Sequence, residues 1–250
     1  MVNLGELEAY CNQLLAVDSF NDYCPNGLQV DGGNPEISSV VTGVTASQAL
    51  LDAAVEAGAD LLLVHHGYFW KGESPALTGM KGRRVRTLMQ NGISLMAYHL
   101  PLDAHAEIGN NRQLADRLGF QDPEPLDEEG LLWSACLGEP ESAQNMIARI
   151  DASLQRNPLY LDGGREDISK VCWCTGGAQG YIERAAAAGM DAFISGEVSE
   201  QTAHLARELG IHYFSAGHHA TERYGILALG EHLSERFGLQ CSFIDISNPV

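Results

Sequence analysis

Short apolar runs alternate along this chain with segments of helical periodicity, and that alternation restricts the fold more than any other feature. VVTGVTA, DLLLV and ISLMAYH in the first half, then VCWCTGG, DAFIS and IHYFSAG in the second, are each bounded by Gly, Asp or Asn. Between them lie the helical windows SQALLDAAVEAG, KGRRVRTLMQNG, AQGYIERAAAAG and QTAHLARELG. LGELEAYCNQLLAV opens the chain as an amphipathic helix, and a long helix from about Thr221 to Arg236 leads to a closing strand, CSFIDI. This is the pattern of parallel βα units, so the expected class is α/β: two similar lobes with mainly parallel sheets flanked by helices. The proline-rich acidic stretch QDPEPLDEEG is the expected boundary, giving lobes 1–125 and 126–250. Ala57-Gly58-Ala59-Asp60 before LLLVHH matches Ala188-Gly189-Met190-Asp191 before AFISGE, with Glu197 falling where His66 falls. A distant internal duplication is expected.

Composition removes several function classes. With 250 residues, 45% of them hydrophobic, the chain can bury a substantial core. The N-terminus has no basic start followed by an apolar stretch, and no run approaches the ~20 apolar residues of a membrane span. A cytoplasmic protein without a membrane partner is expected. The six cysteines form no CxxC pair and are expected to be reduced thiols, with Cys172 and Cys174 packing on one side of a strand. A formal net charge of -18 repels polyanions and disfavours nucleic acid. Lys71, Lys81, Arg83, Arg84 and Arg86 concentrate positive charge against that background, either as a solvated loop and helix face or as a phosphate-binding patch.

Ligands of open parallel sheets bind beyond the carboxyl ends of the strands. DLLLV ends on His65 and His66, and ISLMAY ends on His99 with Asp103 close behind. DAFIS ends on Gly196 and Glu197, and IHYFSAG on His218 and His219, with Glu222 one helical turn later. Side chains alternate across a strand, so His65 and His66 can serve one site only where the strand breaks, and Gly67 supplies that break. His218 and Glu222 share a face if a helix begins near residue 218. Each residue alone reads as a hydrogen-bonded loop side chain, an N-cap or, for His219, a surface histidine. Four strand ends with the same residue types read together as a metal site. Imidazole and carboxylate without thiolate fit Zn, Mn, Fe or Ni.

Asn26-Gly27-Leu28-Gln29, VHHGYFWKG, HLPLDAH with GNN, SGE and GHHATE together resemble the family of GTP cyclohydrolase I type 2 homologues, also called the NGG-one-interacting-factor-three family. The resemblance spans essentially the whole chain. It implies a two-lobed α/β protomer with two divalent ions held between the lobes, assembled as a toroidal homohexamer. The implied metal ligands are His65, His66, Asp103, His218 and Glu222, with Asp103 and Glu222 bridging and His99 a further ligand or a supporting partner. Longer relatives carry an inserted domain for which this chain has no room. The implied activity is metal-dependent hydrolytic opening of a purine nucleotide ring, with His99, Glu197 or His219 as proton shuttles and the KGRRVR segment holding the triphosphate. Phosphoesterase or nuclease chemistry would suit the same ions, and a non-catalytic metal-binding scaffold is the alternative of a different class.

Overall fold

The computed structural model describes residues 1–250. Contacts divide the chain into two compact units, Met1–Leu102 with Gly225–Ile246, and Asp103–Tyr224 with Ser247–Val250. The expected boundary near residue 125 therefore falls inside the second unit. Two pairings produce this division. Glu124–Pro125 is a short strand on Trp133–Glu141, and Gln240–Phe243 lies parallel to Ser39–Thr45 in the first unit.

The first unit is built on a five-stranded sheet in the order Gln240–Phe243, Ser39–Thr45, Leu61–His66, Ser94–Ala97, Gly27–Val30. All neighbours run parallel except the last pair. Strands covered on both faces are nearly continuous apolar runs, as in Leu61–Val64, where no side chain reaches solvent. Leu50, Leu51, Leu62, Val64, Leu88 and Leu95 form the centre of this core. Ser47 starts the Gln48–Glu56 helix by accepting from the Leu50 amide.

The second unit carries a six-stranded sheet: Glu124–Pro125, Trp133–Glu141, Ile168–Cys174, Ala192–Ser195, His212–Ser215, Leu159–Leu161. The three strands Ile168–Cys174, Ala192–Ser195 and His212–Ser215 are parallel, and the pairings outside them are antiparallel. Trp173, Ile194, Phe214, Met146 and Ile150 pack its core. Cys172 and Cys174 are buried strand residues, in keeping with a packing role.

The two units repeat one four-strand plan in greater detail than A-G-x-D announced. Asp31-Gly32-Gly33 and Asp162-Gly163-Gly164 follow the antiparallel edge strand, and in each the aspartate accepts the amide of the second glycine at 2.8 Å. Those glycines take φ of 90° and 77°, a region closed to most side chains. Asp60 then accepts the Ser38 and Ser39 amides and the Asn34 side chain. Asp191 accepts the Ser169 and Lys170 amides and the Arg165 side chain at the matching positions. Asp31 to Asp60 spans the same number of residues as Asp162 to Asp191. The expected long helix from Thr221 is instead a short turn, His218–Thr221, followed by Arg223–Phe237. No helix is long and apolar enough to cross a membrane.

Candidate metal centre

In the first unit, the Leu61–His66 strand brings its last two residues to His99, which lies just past Ser94–Ala97. One ligand atom from each of His65, His66 and His99 lies within 4.8 Å of the others. The strand continues through His66 and ends before Gly67, where a Cβ would strike the Gln29 amide and Ala97. His65 is fully buried, and its Nδ1 faces the Tyr98 carbonyl at 2.8 Å. A carbonyl only accepts, so Nδ1 carries the hydrogen and Nε2 keeps the ligand lone pair. His99 is set the same way by Asp22, whose carboxylate lies 2.7 Å from Nδ1. Burial pulls the Asp22 pKa up, but the His99 bond and charge, with donors from Asn26 and the Tyr23 amide, bring it down to about 2. His66 places Nδ1 3.1 Å from the Thr45 hydroxyl.

In the second unit, His218 sits between two carboxylates, with Nδ1 2.7 Å from Glu197 and Nε2 3.0 Å from Glu222. The four-residue spacing of His218 and Glu222 brings them together through the short helix, as expected. Burial alone would lower the His218 pKa, but Glu222 and then Glu197 raise it to about 9. A proton and a divalent ion are thus alternative occupants of this position. Glu222 and Asp103 are 2% and 6% exposed. Asp103 accepts from Asn110 at 2.8 Å and from the Thr175 hydroxyl at 3.3 Å. Asn111 donates to the Asp103 carbonyl and accepts the Thr175 amide. At Gly176, with φ of 66°, a Cβ would run into the Glu222 carboxylate.

These donors suit a borderline divalent cation: three imidazoles in one unit, buried carboxylates and an imidazole in the other. The thiol of Cys24 lies near Asp22 and His99, but burial, then the Asp22 charge, push its pKa up to about 12 and keep it protonated.

Other expected residues fall elsewhere. His219 is buried rather than at the surface, its amide bonded to the Val250 carbonyl. Glu197 is not an N-cap; its carboxylate lies 2.7 Å from His218 Nδ1. The basic segment is dispersed. Lys71 is exposed, Lys81 pairs with Glu73 at 3.2 Å, and Arg84 lies beside Tyr68. Arg83 and Arg86 line a surface hollow of about 290 Å³ with Gln48, Thr87 and Gln90. Asp22, Asn110, Asn111 and Thr175 were not among the residues singled out for chemistry. Asn26 and the GNN stretch were visible only as part of a resemblance, whereas Asp22 carries no local signal.

A curated Pseudomonas aeruginosa protein named "GTP cyclohydrolase 1 type 2 homolog" is 54% identical over 252 residues, covering 100% of this chain and 99% of the relative. An Escherichia coli protein of the same name is 54% identical over 249 residues, covering 98% of each. A solved structure described as "Structural genomics, protein ybgI, unknown function" superposes with a TM-score of 0.96 at 52% identity, with both chains covered in full. The family model for Duf34/NIF3 (NGG1p interacting factor 3) matches residues 2–249. With strand-end histidines and buried carboxylates, and with relatives alike from end to end, this chain is a member of the Duf34/NIF3 family.

Proposed function

We propose that this chain is a metal-dependent hydrolase with two divalent ions per chain, acting on the ring of a purine nucleotide. The observation that carries the reading is the pair of carboxylate-held histidines, His99 on Asp22 and His218 on Glu197, each beside further ligand-type side chains in its own unit. Covalent continuity supports joining the two sets. The chain leaves the first unit after Leu102, three residues past His99, and re-enters it at Gly225, three past Glu222. His65, His66, Asp103, His218 and Glu222 would hold the ions, with Asp103 and Glu222 bridging and His99 as a further ligand.

When bound, such ions supply Lewis acidity and make water a nucleophile near neutral pH. The chain's own residues prepare the site. Tyr98 and Asp22 fix imidazole tautomers, Asn110 and Thr175 orient the Asp103 carboxylate, and Glu197 holds His218 at Nδ1 so that Nε2 faces Glu222. His99, Glu197 and His219 remain the proposed proton shuttles. The relatives' names point to GTP, a purine nucleotide; the proposed ring opening would release formate. Assembly as a homohexamer belongs to the same proposal, with light scattering as its check.

The deciding experiment measures metal per chain in protein purified without added metal, together with formate release from GTP on the same sample. Two ions with formate release support the hydrolase. Two ions without it redirect the site to phosphoesters or to a non-catalytic scaffold, and Asp103→Ala then separates these two. A phosphoesterase loses turnover in that variant, whereas a scaffold loses only metal or assembly.

A further inference from the structure

Two aromatic side chains flank the histidines of the first unit and have no part in holding a metal. Trp70 meets His99 edge to face, with ring centroids 5.0 Å apart and planes at 83°, and lies 5.8 Å from His66. Tyr23 also meets His99 edge to face, at 6.5 Å. Tyr23 is 62% exposed, and Trp70 is only half-buried.

The backbone is arranged to hold both rings in place. Phe69 takes φ of 64°, a left-handed conformation that a bulky residue rarely adopts. This reversal lets Phe69 pack against Tyr68 and beneath Lys81 while the next residue, Trp70, turns to the histidines. The Lys71 amide donates to the Tyr23 carbonyl at 2.6 Å, tying the two aromatic loops together. Asp22, next to Tyr23, accepts from Asn26, the Leu100 amide and His99, which anchors that loop to the candidate site. The Trp70 indole N–H is already taken by the Gly67 carbonyl. What Trp70 offers a ligand is therefore its π face rather than a donor.

We propose that Tyr23 and Trp70 form a stacking subsite for a flat heteroaromatic ring beside His66 and His99; naming that ring a purine rests on the hydrolase reading. Grip on a neutral ring also fits a chain of net charge -18, which attracts phosphates poorly. Stacking of one base on aromatic side chains corresponds to roughly 5- to 150-fold in affinity.

Trp133 and Trp173 are 2% and 0% exposed, so Trp70 is the tryptophan that a dissolved quencher or a stacked ring can reach. The full chain, as purified, is titrated with guanosine and, as a ring-free control, with ribose 5-phosphate, following tryptophan emission and acrylamide quenching. Metal content is measured on every sample. Guanosine is expected to quench the emission and shield Trp70 from acrylamide, with no effect of ribose 5-phosphate. By calorimetry, Tyr23→Ala and Trp70→Ala are each expected to weaken guanosine binding at least fivefold at unchanged metal content, and Trp70→Phe to retain most of it. Unchanged emission with guanosine, an equal response to ribose 5-phosphate, or affinity unmoved in both alanine variants overturns the subsite whatever the metal content. So does a Trp70 already hidden from acrylamide before ligand is added, which would mean that another copy covers it. Absence of metal with guanosine stacking intact instead counts against the hydrolase reading and leaves the subsite standing.

Discussion

The two units share a plan and differ in chemistry where the second strand of the repeat ends. Each has the Asp-Gly-Gly turn, an aspartate at the start of the second strand of the repeat that holds the adjoining strand, and a histidine beyond the third strand whose Nδ1 faces a carboxylate at 2.7 Å. Where the first unit ends its second strand on His65 and His66, the second has Gly196 and Glu197. A Cβ at Gly196 would come within 2.6 Å of the Gly176 carbonyl and the His218 Cα, so the counterpart of His65 has no room for a side chain. One scaffold therefore yields imidazole donors in one unit and carboxylates in the other. The strand ends differ in chemistry while the hydrogen bonds that register the strands are kept.

The largest expected effect comes from removing one donor of each kind. His65→Ala and Glu222→Gln are each expected to lower bound metal from two ions to one or fewer per chain, by elemental analysis, with an unchanged far-ultraviolet spectrum. Full occupancy in both variants would end the dinuclear assignment. Next in size is forcing the units to match: Gly196→Ala should destabilise by about 1–3 kcal/mol in urea unfolding, because backbone atoms cannot yield as a flexible side chain can. A loss under about 0.5 kcal/mol would mean that the loop relaxes and the glycine is not required.

Asp60→Asn should cost about 1–2 kcal/mol, since hydrogen bonds to a charged acceptor are stronger than neutral ones. Burial pulls the Asp60 pKa upward, but hydrogen bonds from the Ser39 and Ser38 amides, the Ser38 hydroxyl and Asn34 outweigh it and hold the carboxyl below its usual range. The folded state thus favours the charged form, and its contribution is present above pH ~4 and lost as pH falls below that. The gap between wild type and Asp60→Asn should shrink on acidification in that window; a gap independent of pH would refute the charge-based account. The smallest effect is Ser47→Ala, about 1 kcal/mol by thermal unfolding. The second unit has Ala178 at the corresponding place, with no side-chain cap, so a larger loss would show that the first unit depends on its cap more than the repeat implies.

Much of the fold was legible in local patterns. Parallel strands covered on both faces appear as apolar runs, and those runs stop at His66, His99, Glu197 and His218, so the strand ends and their metal-ligand chemistry could be read directly. The edge strands Gly27–Val30 and Leu159–Leu161 were not legible, being short and only partly buried. Nor was the return of Gln240–Phe243 to the first sheet, since nothing within a strand names its distant partner.

The same limit separates donors from the groups that set them. Sequence by itself determined the α/β class, the repeat around Asp60 and Asp191, and the histidines and carboxylates at the strand ends, because these are written in spacings of two to four residues. Tertiary structure decided that Asp22 fixes the His99 tautomer, that Asn110 and Thr175 orient Asp103, and that His218 lies between Glu197 and Glu222. Asp22 meets His99, and Thr175 meets Asp103, across more than seventy residues. Hydrogen bonds of that range exist only once the sheets have formed, when burial excludes water and leaves each polar group its protein partner.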